Sequence, residues 1–488
     1  MAKRKQSDVS PQPKHKPDKQ QSQFDKRSRL DQPNPDRRKT SAARVPLFGS
    51  MAMFAAALAR KLDSRIAVRM SIIMAGMMFA DDRRVAAAWF AAAGVQDDWD
   101  CFYDCLASIG RNSRSISSSL LTLVLKKFDP GANGRLTIAI DDSPTARYGK
   151  HVEGAGVHHN PTPGPVGSEW LYGHNWVTMC LLVTHGSWGV IALPLLSMLY
   201  VRAKDLPALA EKYKWEFRTK HEQAIDLVTW FVGHARWMQL TCSIWLVMDG
   251  AYVSGQTMKA MAAQGVTVFS RLRCDAVLYD LPTERKAGQR GRPRLYGKHR
   301  ISLAKRAGQR RGWQTLSYRC RCENVTRQYK SFLATSRLTG GVIRVVIVKF
   351  DSGNWAAYFC TNSQVSVEDI METISSRWAI EEFFHDTKEV WGAGQQQVRN
   401  VWSNIGCWHL NQWMYALVEL SVWDSPAEEV TDRSDRPWDN PNRRPSHADR
   451  RKSISREMLR QQFSVVLPDG PEMQKIKPLL EHIINLAT

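Results

Sequence analysis

The sequence predicts an α/β protein with a helical domain in front of it and a β-rich insertion inside it. Three observations carry that prediction. Between residues 133 and 274, short apolar runs and amphipathic stretches follow one another in the order β-β-β-α-β-α-β. Two of those runs end directly in acid, RLTIAID at Asp141-Asp142 and SIWLVMD at Asp249. Downstream, ISSRWAIEEFFHDTK (Ile374 to Lys388) has helical spacing. It places Arg377, Glu381 and Lys388 on one stripe and Ile380, Phe383, Phe384 and Trp391 on another.

Composition bounds the function classes. The chain has 488 residues, 43% of them hydrophobic, which is enough to bury a large core in two to four domains. The formal net charge is +21 and the pI about 9.7, so an anionic polymer or surface is the expected partner. No run reaches the roughly 18 apolar residues of a membrane span, and no apolar segment follows the N-terminal charges. The expectation is a cytoplasmic, nucleoid-associated protein with no membrane partner. Nine cysteines, with a lone Cys320-x-Cys322 and no paired C-x-x-C, fit reduced thiols better than a zinc site.

Each segment has its own signal. Residues 1–45 hold basic blocks (KRK, KHKPDK, DKRSR, DRRK) with almost no apolar residue, and are expected to be a disordered arm. Its cations either touch phosphate or stay solvated. Over 46–132, runs such as RIAVRMSIIMAGMMFA and SSSLLTLVLKKF predict a helical domain, read either as a DNA-binding module or as a purely structural bundle. Residues 133–274 form the first part of the catalytic domain. There, strands HNWVTMCLLVTH and WGVIALPLLSMLYV turn at Gly186-Ser187. One long helix is expected from about Leu206 to Arg236, and another over Gly255 to Ala263. That order of elements is ribonuclease-H-like, with acids closing the first and fourth strands. Residues 275–365 read as the β-rich insertion with a basic loop, 366–423 as the last helices of the domain, and 424–488 as a linker and a helical tail.

Chemistry concentrates on three acids: Asp142 (or Asp141), Asp249 and Glu381. A carboxylate beside an apolar core needs a partner or a cation, and strand ends of open sheets gather ligand-binding groups. Three such acids suit two Mg²⁺ ions, with Mn²⁺ tolerated. Taken singly, Asp-Asp-Ser and Asp-Gly are also ordinary turn chemistry. Arg377 either grips phosphate or pairs with Glu381 at i, i+4 for a few tenths of a kcal/mol. Arg290, Arg292 and Arg294, in RGRPR, either enter a narrow minor groove or remain in a solvated loop. Trp355 and Tyr358 are candidates to stack on an unpaired base, or core aromatics of a strand. His151, His158, His159 and His174 are given no catalytic role.

On these residues the chain resembles the DDE transposases of bacterial insertion sequences, in the subgroup with a Tyr-x2-Arg-x3-Glu-x6-Lys signature and a β-rich insertion before the Glu. Arg377, Glu381 and Lys388 match three of the four letters at the right spacing, and Ile374 stands where the Tyr stands. IDDSPTARYGK, LVMDGAY and WGAGQQQVRN resemble the blocks around the first Asp, around the second Asp and after the Glu helix. The resemblance implies cut-and-paste transposition. Terminal inverted repeats would be bound and cleaved, often through a hairpin, and their 3′ ends joined to target DNA by a dimer on double-stranded DNA. Asp142, Asp249 and Glu381 would hold the metals, and Arg377 and Lys388 the phosphates of the transposon end. Two other readings stay open: a ribonuclease-H-like nuclease without strand transfer, and a transposase-derived DNA-binding protein without catalysis.

Overall fold

Long apolar runs that alternate with capped amphipathic stretches settle into one large mixed sheet flanked by helices. The computed structural model describes residues 46–47, 49–80, 83–131, 134–160, 167–284, 290–321, 323–433, 438–440, 442–466 and 470–486. The expected basic arm, 1–45, lies outside them.

The elements begin with helices α1 (Gly49–Ala59), α2 (Ser64–Phe79), α3 (Ala86–Ala92), α4 (Trp99–Arg111) and α5 (Ser113–Lys127). Strands β1 (Arg135–Ala146), β2 (Gly156–His159), β3 (Trp170–His185) and β4 (Gly189–Tyr200) follow. Then come α6 (Pro207–Tyr213), α7 (Lys220–Trp237), β5 (Ser243–Met248), α8 (Gly255–Ala263) and β6 (Thr267–Leu272). The insertion comprises β7 (Leu278–Tyr279), β8 (Arg300–Ile301), α9 (Leu303–Gly308), β9 (Gln314–Cys320), β10 (Glu323–Ser336), β11 (Gly341–Lys349) and β12 (Trp355–Cys360). The chain continues through α10 (Val367–Ser376), α11 (Trp378–Glu389), α12 (Val401–Val422), α13 (Ala427–Val430), α14 (His447–Val466) and α15 (Pro471–Leu486).

The path through the sheet is β2-β3-β1-β5-β6-β12-β11-β10-β7-β8, with β4 beside β3 and β9 beside β10. β1, β5 and β6 are parallel, and β3 and β12 run antiparallel to their neighbours β1 and β6. Ile138, Ala139 and Ile140 of β1 and Leu246, Val247 and Met248 of β5 are buried on both faces, as a central parallel pair requires. At β4 the pairing with β3 slips between Met179 and Cys180, where Pro194 sits. Proline is tolerated on such an edge strand because it withdraws a donor where the ladder is already broken.

Four expectations need correction. Ile374 to Lys388 is not one helix: α10 ends at Ser376 and α11 starts at Trp378, because tightened bonds (Ile380 N–H to Arg377 O, 3.0 Å) break the ladder at Arg377. The long helix from Leu206 is two helices. Lys214 adopts φ +55°, and a capping box of Thr219 with Glu222 restarts the chain as α7. The stretch KHVEGAGVHHNPTPGPVG, whose Gly, Pro and His residues lead one to expect a loop, contains a strand, β2. The insertion joins the same sheet through β12, which pairs with β6. The two C-terminal helices, expected to be short, run for 20 and 16 residues, and the stretch before them, expected to be a linker, is tied down by Arg443, which pairs with Asp439 and Asp449.

The N-terminal helices share one core with the sheet and with α12. α12 is buried along almost its whole length, held at its start by Asn400, which accepts the N–H groups of Trp402 (2.8 Å) and Ser403 (3.3 Å). It crosses α4 at a glycine pair. A Cβ on Gly406 would lie 2.1 Å from Leu106 O, and one on Gly110 would lie 1.8 Å from Trp402 O. No helix among the described residues is long and apolar enough to cross a membrane.

Polar groups inside α12 are matched locally. His409 lies fully buried, its Nδ1 2.8 Å from Ile405 O, and its Nε2 accepts the Ser197 N–H of strand β4 (3.3 Å). This pattern fixes the neutral imidazole with its proton on Nδ1. Burial pushes the ring down to about 4, against the help of the bond to the Ile405 carbonyl.

Two predictions follow from this packing. Gly406→Ala should cost about 2–4 kcal/mol in urea unfolding, because two helix backbones must separate. Gly186→Ala, with nothing within 4 Å of its Cβ, should change stability by less than about 0.5 kcal/mol. The second concerns acid. The unfolded chain protonates His409 near its ordinary value while the folded chain does so only near 4, so its contribution is complete above about 6.5 and lost as pH falls toward 4. The loss amounts to roughly 3 kcal/mol. His409→Asn can bond the i−4 carbonyl as Asn404 and Asn411 do, and should flatten the slope of stability against pH by about one proton.

Candidate active site

The parallel pairing of β1 and β5 builds the site. Its last matched pair is Ile140 with Met248, so Asp141 and Asp249 follow at corresponding positions on neighbouring strands. Successive residues of a strand face opposite ways, so Asp142 points away from that side.

The two adjacent aspartates therefore live in different surroundings. Asp141 accepts a 2.6 Å hydrogen bond from Arg377 Nη1 at Oδ2, and the Asp142 N–H at Oδ1 (2.9 Å). The other arm of the same guanidinium, Nη2, reaches Glu381 Oε1 at 2.6 Å. Asp142 instead accepts Lys220 Nζ (2.6 Å) and the Tyr252 hydroxyl (2.6 Å). Asp249 is exposed, caps the turn Gly250–Tyr252 and accepts the Ala251 N–H at 2.8 Å.

Electrostatics follow from burial. Desolvation pushes the Asp141 carboxyl up to about 7; Arg377 and the Asp142 N–H oppose this, and the charges of Asp142 and Asp249 add to it. Burial works against the Arg377 charge, but Asp141, Glu381 and Asp249 outweigh it and raise its pKa. Lys388 is half-buried, and desolvation lowers its pKa against the pull of Glu389.

All of these groups open onto one cleft of about 1600 Å³, lined by Asp141, Asp142, Asp249, Arg377, Glu381 and Lys388 among others. That exceeds the usual size of a small-molecule pocket and suits a polymer. One wall is the loop after α11. Gly392 (φ +69°) and Gly394 (φ +101°) let it turn, Gln396 Nε2 donates to Gly392 O (2.8 Å), and buried Arg147 donates to Gly394 O. Arg147, Lys220, Tyr252 and Gln396 escape sequence reasoning. Only the glycines of WGAGQQQVRN hint at that wall.

Other candidates fall elsewhere. Arg290, Arg292 and Arg294 are exposed between β7 and β8 and do not line the cleft. Trp355 and Tyr358 are half-buried residues of β12. His158 and His174 are buried and held neutral, chiefly by desolvation, with pKa values of about 4 and 3. Among the described residues no three His, Cys, Asp or Glu gather at metal-binding spacing. Arg377 stands between two of the acids instead. The donor set itself fits Mg²⁺ or Mn²⁺: three carboxylates, one of them half-buried beside a cation and favoured by a positive charge.

The far end of α11 is anchored by a buried chain of polar groups. Trp391 Nε1 donates to His447 Nε2 (2.7 Å), so the proton of His447 sits on Nδ1 and is donated to Glu419 Oε1 (2.5 Å). Arg450 Nε donates to the same oxygen at 2.9 Å, and the Tyr415 ring stacks on His447. Burial disfavours the Glu419 charge, but Arg450 and His447 more than compensate and lower its pKa. Glu419→Ala would leave the Arg450 guanidinium buried without its counter-ion. It should destabilise the fold by about 3–5 kcal/mol, read by chemical denaturation.

Residues 220–417, less than half of the chain, match the family model described as the transposase DDE domain. That span contains Asp249, Arg377, Glu381 and Lys388 but not β1. No curated protein matches the chain. Among solved structures, the cryo-EM structure of a piggyBac transposase synaptic complex with hairpin DNA is similar at a TM-score of 0.36 and 11% identity. The match covers 89% of this chain and 80% of that one, a likeness too loose to assign a fold.

Proposed function

We propose that this chain is a metal-dependent transposase that binds the terminal repeats of a DNA element, cleaves there and joins the freed 3′ ends to target DNA. One observation carries the reading. Asp141 and Asp249 stand at matched positions on adjacent parallel strands, and Glu381 meets them across Arg377 in the same cleft, two of the three acids lying within the matched transposase segment. The strand order β4-β3-β1-β5-β6, with β3 antiparallel to its neighbours, supports a ribonuclease-H-like core.

The metal ligands in this reading are Asp141, Asp249 and Glu381, with Asp141 replacing Asp142. Two bound Mg²⁺ ions would activate the attacking water or 3′-hydroxyl and stabilise the leaving oxygen. The protein's own groups do the rest. Lys388, half-buried in the cleft wall, would meet a phosphate of the DNA. Lys220 and Tyr252 clamp Asp142 and so fix the strand that carries Asp141. The exposed cations of the insertion, Arg290, Arg292 and Arg294 among them, extend the contact to duplex DNA by charge. Synapsis of two ends calls for a homodimer on the DNA. Cytoplasmic, nucleoid-associated localisation belongs to the same reading.

The test is supercoiled plasmid bearing candidate terminal repeats, incubated with Mg²⁺ or Mn²⁺. Asp141→Asn, Asp249→Asn and Glu381→Gln should each lower cleavage by at least about 10²–10³-fold while DNA binding persists. Asp142→Asn should retain readily measured cleavage. Cleavage lost in D142N and kept in D141N would reverse the assignment. DNA bound but never cut by the unmodified chain would favour the non-catalytic alternative.

A further inference from the structure

On the reading of Asp141, Asp249 and Glu381 as metal ligands, we propose that Arg377 is the internal counter-ion of the metal-free site, displaced when metal enters and thereby released to a DNA phosphate. Metal loading and the grip on the DNA end would then be coupled through one side chain.

The geometry is specific. Each arm of the guanidinium takes a different carboxylate, Nη1 to Asp141 Oδ2 and Nη2 to Glu381 Oε1, both at 2.6 Å. Those are two of the three groups that would ligate metal. Asp249 also acts on the same guanidinium electrostatically. A planar fork holds its two acceptors on separate arms. A hard divalent ion needs its oxygens within about 2.0–2.6 Å of one centre. The two arrangements therefore compete for the same carboxylates, because a fork that holds Asp141 and Glu381 on separate arms keeps their oxygens from closing on one centre.

The backbone leaves Arg377 able to change partners. It occupies the break between α10 and α11, and its side chain is 24% exposed and lines the cleft. Once displaced, a half-buried guanidinium needs a new anion, because an unpaired charge there is costly. A phosphodiester entering the cleft offers bidentate oxygen acceptors that match the fork. By linkage, whatever metal does for phosphate binding, phosphate does for metal binding.

Mn²⁺ binding to the full chain, read by electron paramagnetic resonance without DNA and then with a short random-sequence duplex, tests this without any cleavage assay. In the absence of DNA, Arg377→Gln should bind Mn²⁺ roughly 5–100-fold tighter than the unmodified chain, the range of ordinary coupling between sites. Duplex DNA should tighten Mn²⁺ binding to the unmodified chain and leave R377Q unchanged. Thermal melting establishes that R377Q is folded. If it is not, Arg377→Lys, whose ammonium lacks the two-armed planar fork, should show the same direction with a smaller gain. Equal or weaker Mn²⁺ binding in the folded variant overturns the inference. The reading of the site survives that result if D141N, D249N and E381Q each abolish Mn²⁺ binding. Absence of Mn²⁺ binding to both the unmodified chain and the variant overturns the inference and the site together.

Discussion

The register of two parallel strands is the constraint on which the site depends. β1 and β5 pair up to Ile140 and Met248, and the next residue on each strand is an acid. One step of slip would send Asp141 to the opposite face and bring Asp142 to Asp249. The apolar residues on both sides of the pair prevent that slip, because every one of them would change face at the same time. The core thus fixes the chemistry: burial of Ile138, Ile140, Leu246 and Met248 decides which carboxylate stands where.

The consequence of that placement is electrostatic. Asp141 follows a fully buried run and retains little water, so its carboxyl is held near 7 even with a guanidinium at 2.6 Å. Asp142, one residue on, meets an ammonium and a phenol instead. Two neighbouring aspartates of identical chemistry, both lining the cleft, are thereby divided between a position that calls for a cation and a clamp that already contains one. Arg377 answers the first demand from a helix break rather than from mid-helix. The break also turns α11 so that Glu381 and Lys388 face the cleft while Ile380 and Phe383 are buried.

Much of this was legible in the residues, and the gaps have physical reasons. The stripe of Arg377, Glu381 and Lys388 is visible because helical spacing survives a one-residue break. Asp249 is visible because a single acid ends its run. The choice between Asp141 and Asp142 is not visible, since both follow the same apolar stretch and only the register with β5 separates them. Lys220 and Tyr252 reach Asp142 from distant parts of the chain, and no local pattern announces such a contact. β10 escapes because its exposed half (ENVTRQYK) is too polar to read as a strand until β9 and β11 cover its edges. Likewise the stretch before α14 reads as a linker because Arg, Asp, Pro and Asn dominate it, although Arg443 ties it down.

That last region changes how the helix carrying Glu381 is held. One end of α11 is fixed at the sheet by Arg377. The other end is fixed by Trp391, whose indole N–H meets His447, which in turn meets Glu419 with Arg450 beside it. Arg444 adds a bond to Glu382 from the same C-terminal stretch, and Arg451 donates to the last carbonyls of α2. A helix held only by its apolar face can slide along the sheet, whereas one pinned at both ends by directional bonds keeps the Glu381 carboxylate fixed relative to Asp141 and Asp249, as the proposed metal site demands. The C-terminal helix α14 is therefore part of the site's support. Its buried ion pair is better understood as fixing the position of α11 than as a source of net stability, because such pairs gain little over apolar packing once their desolvation is counted.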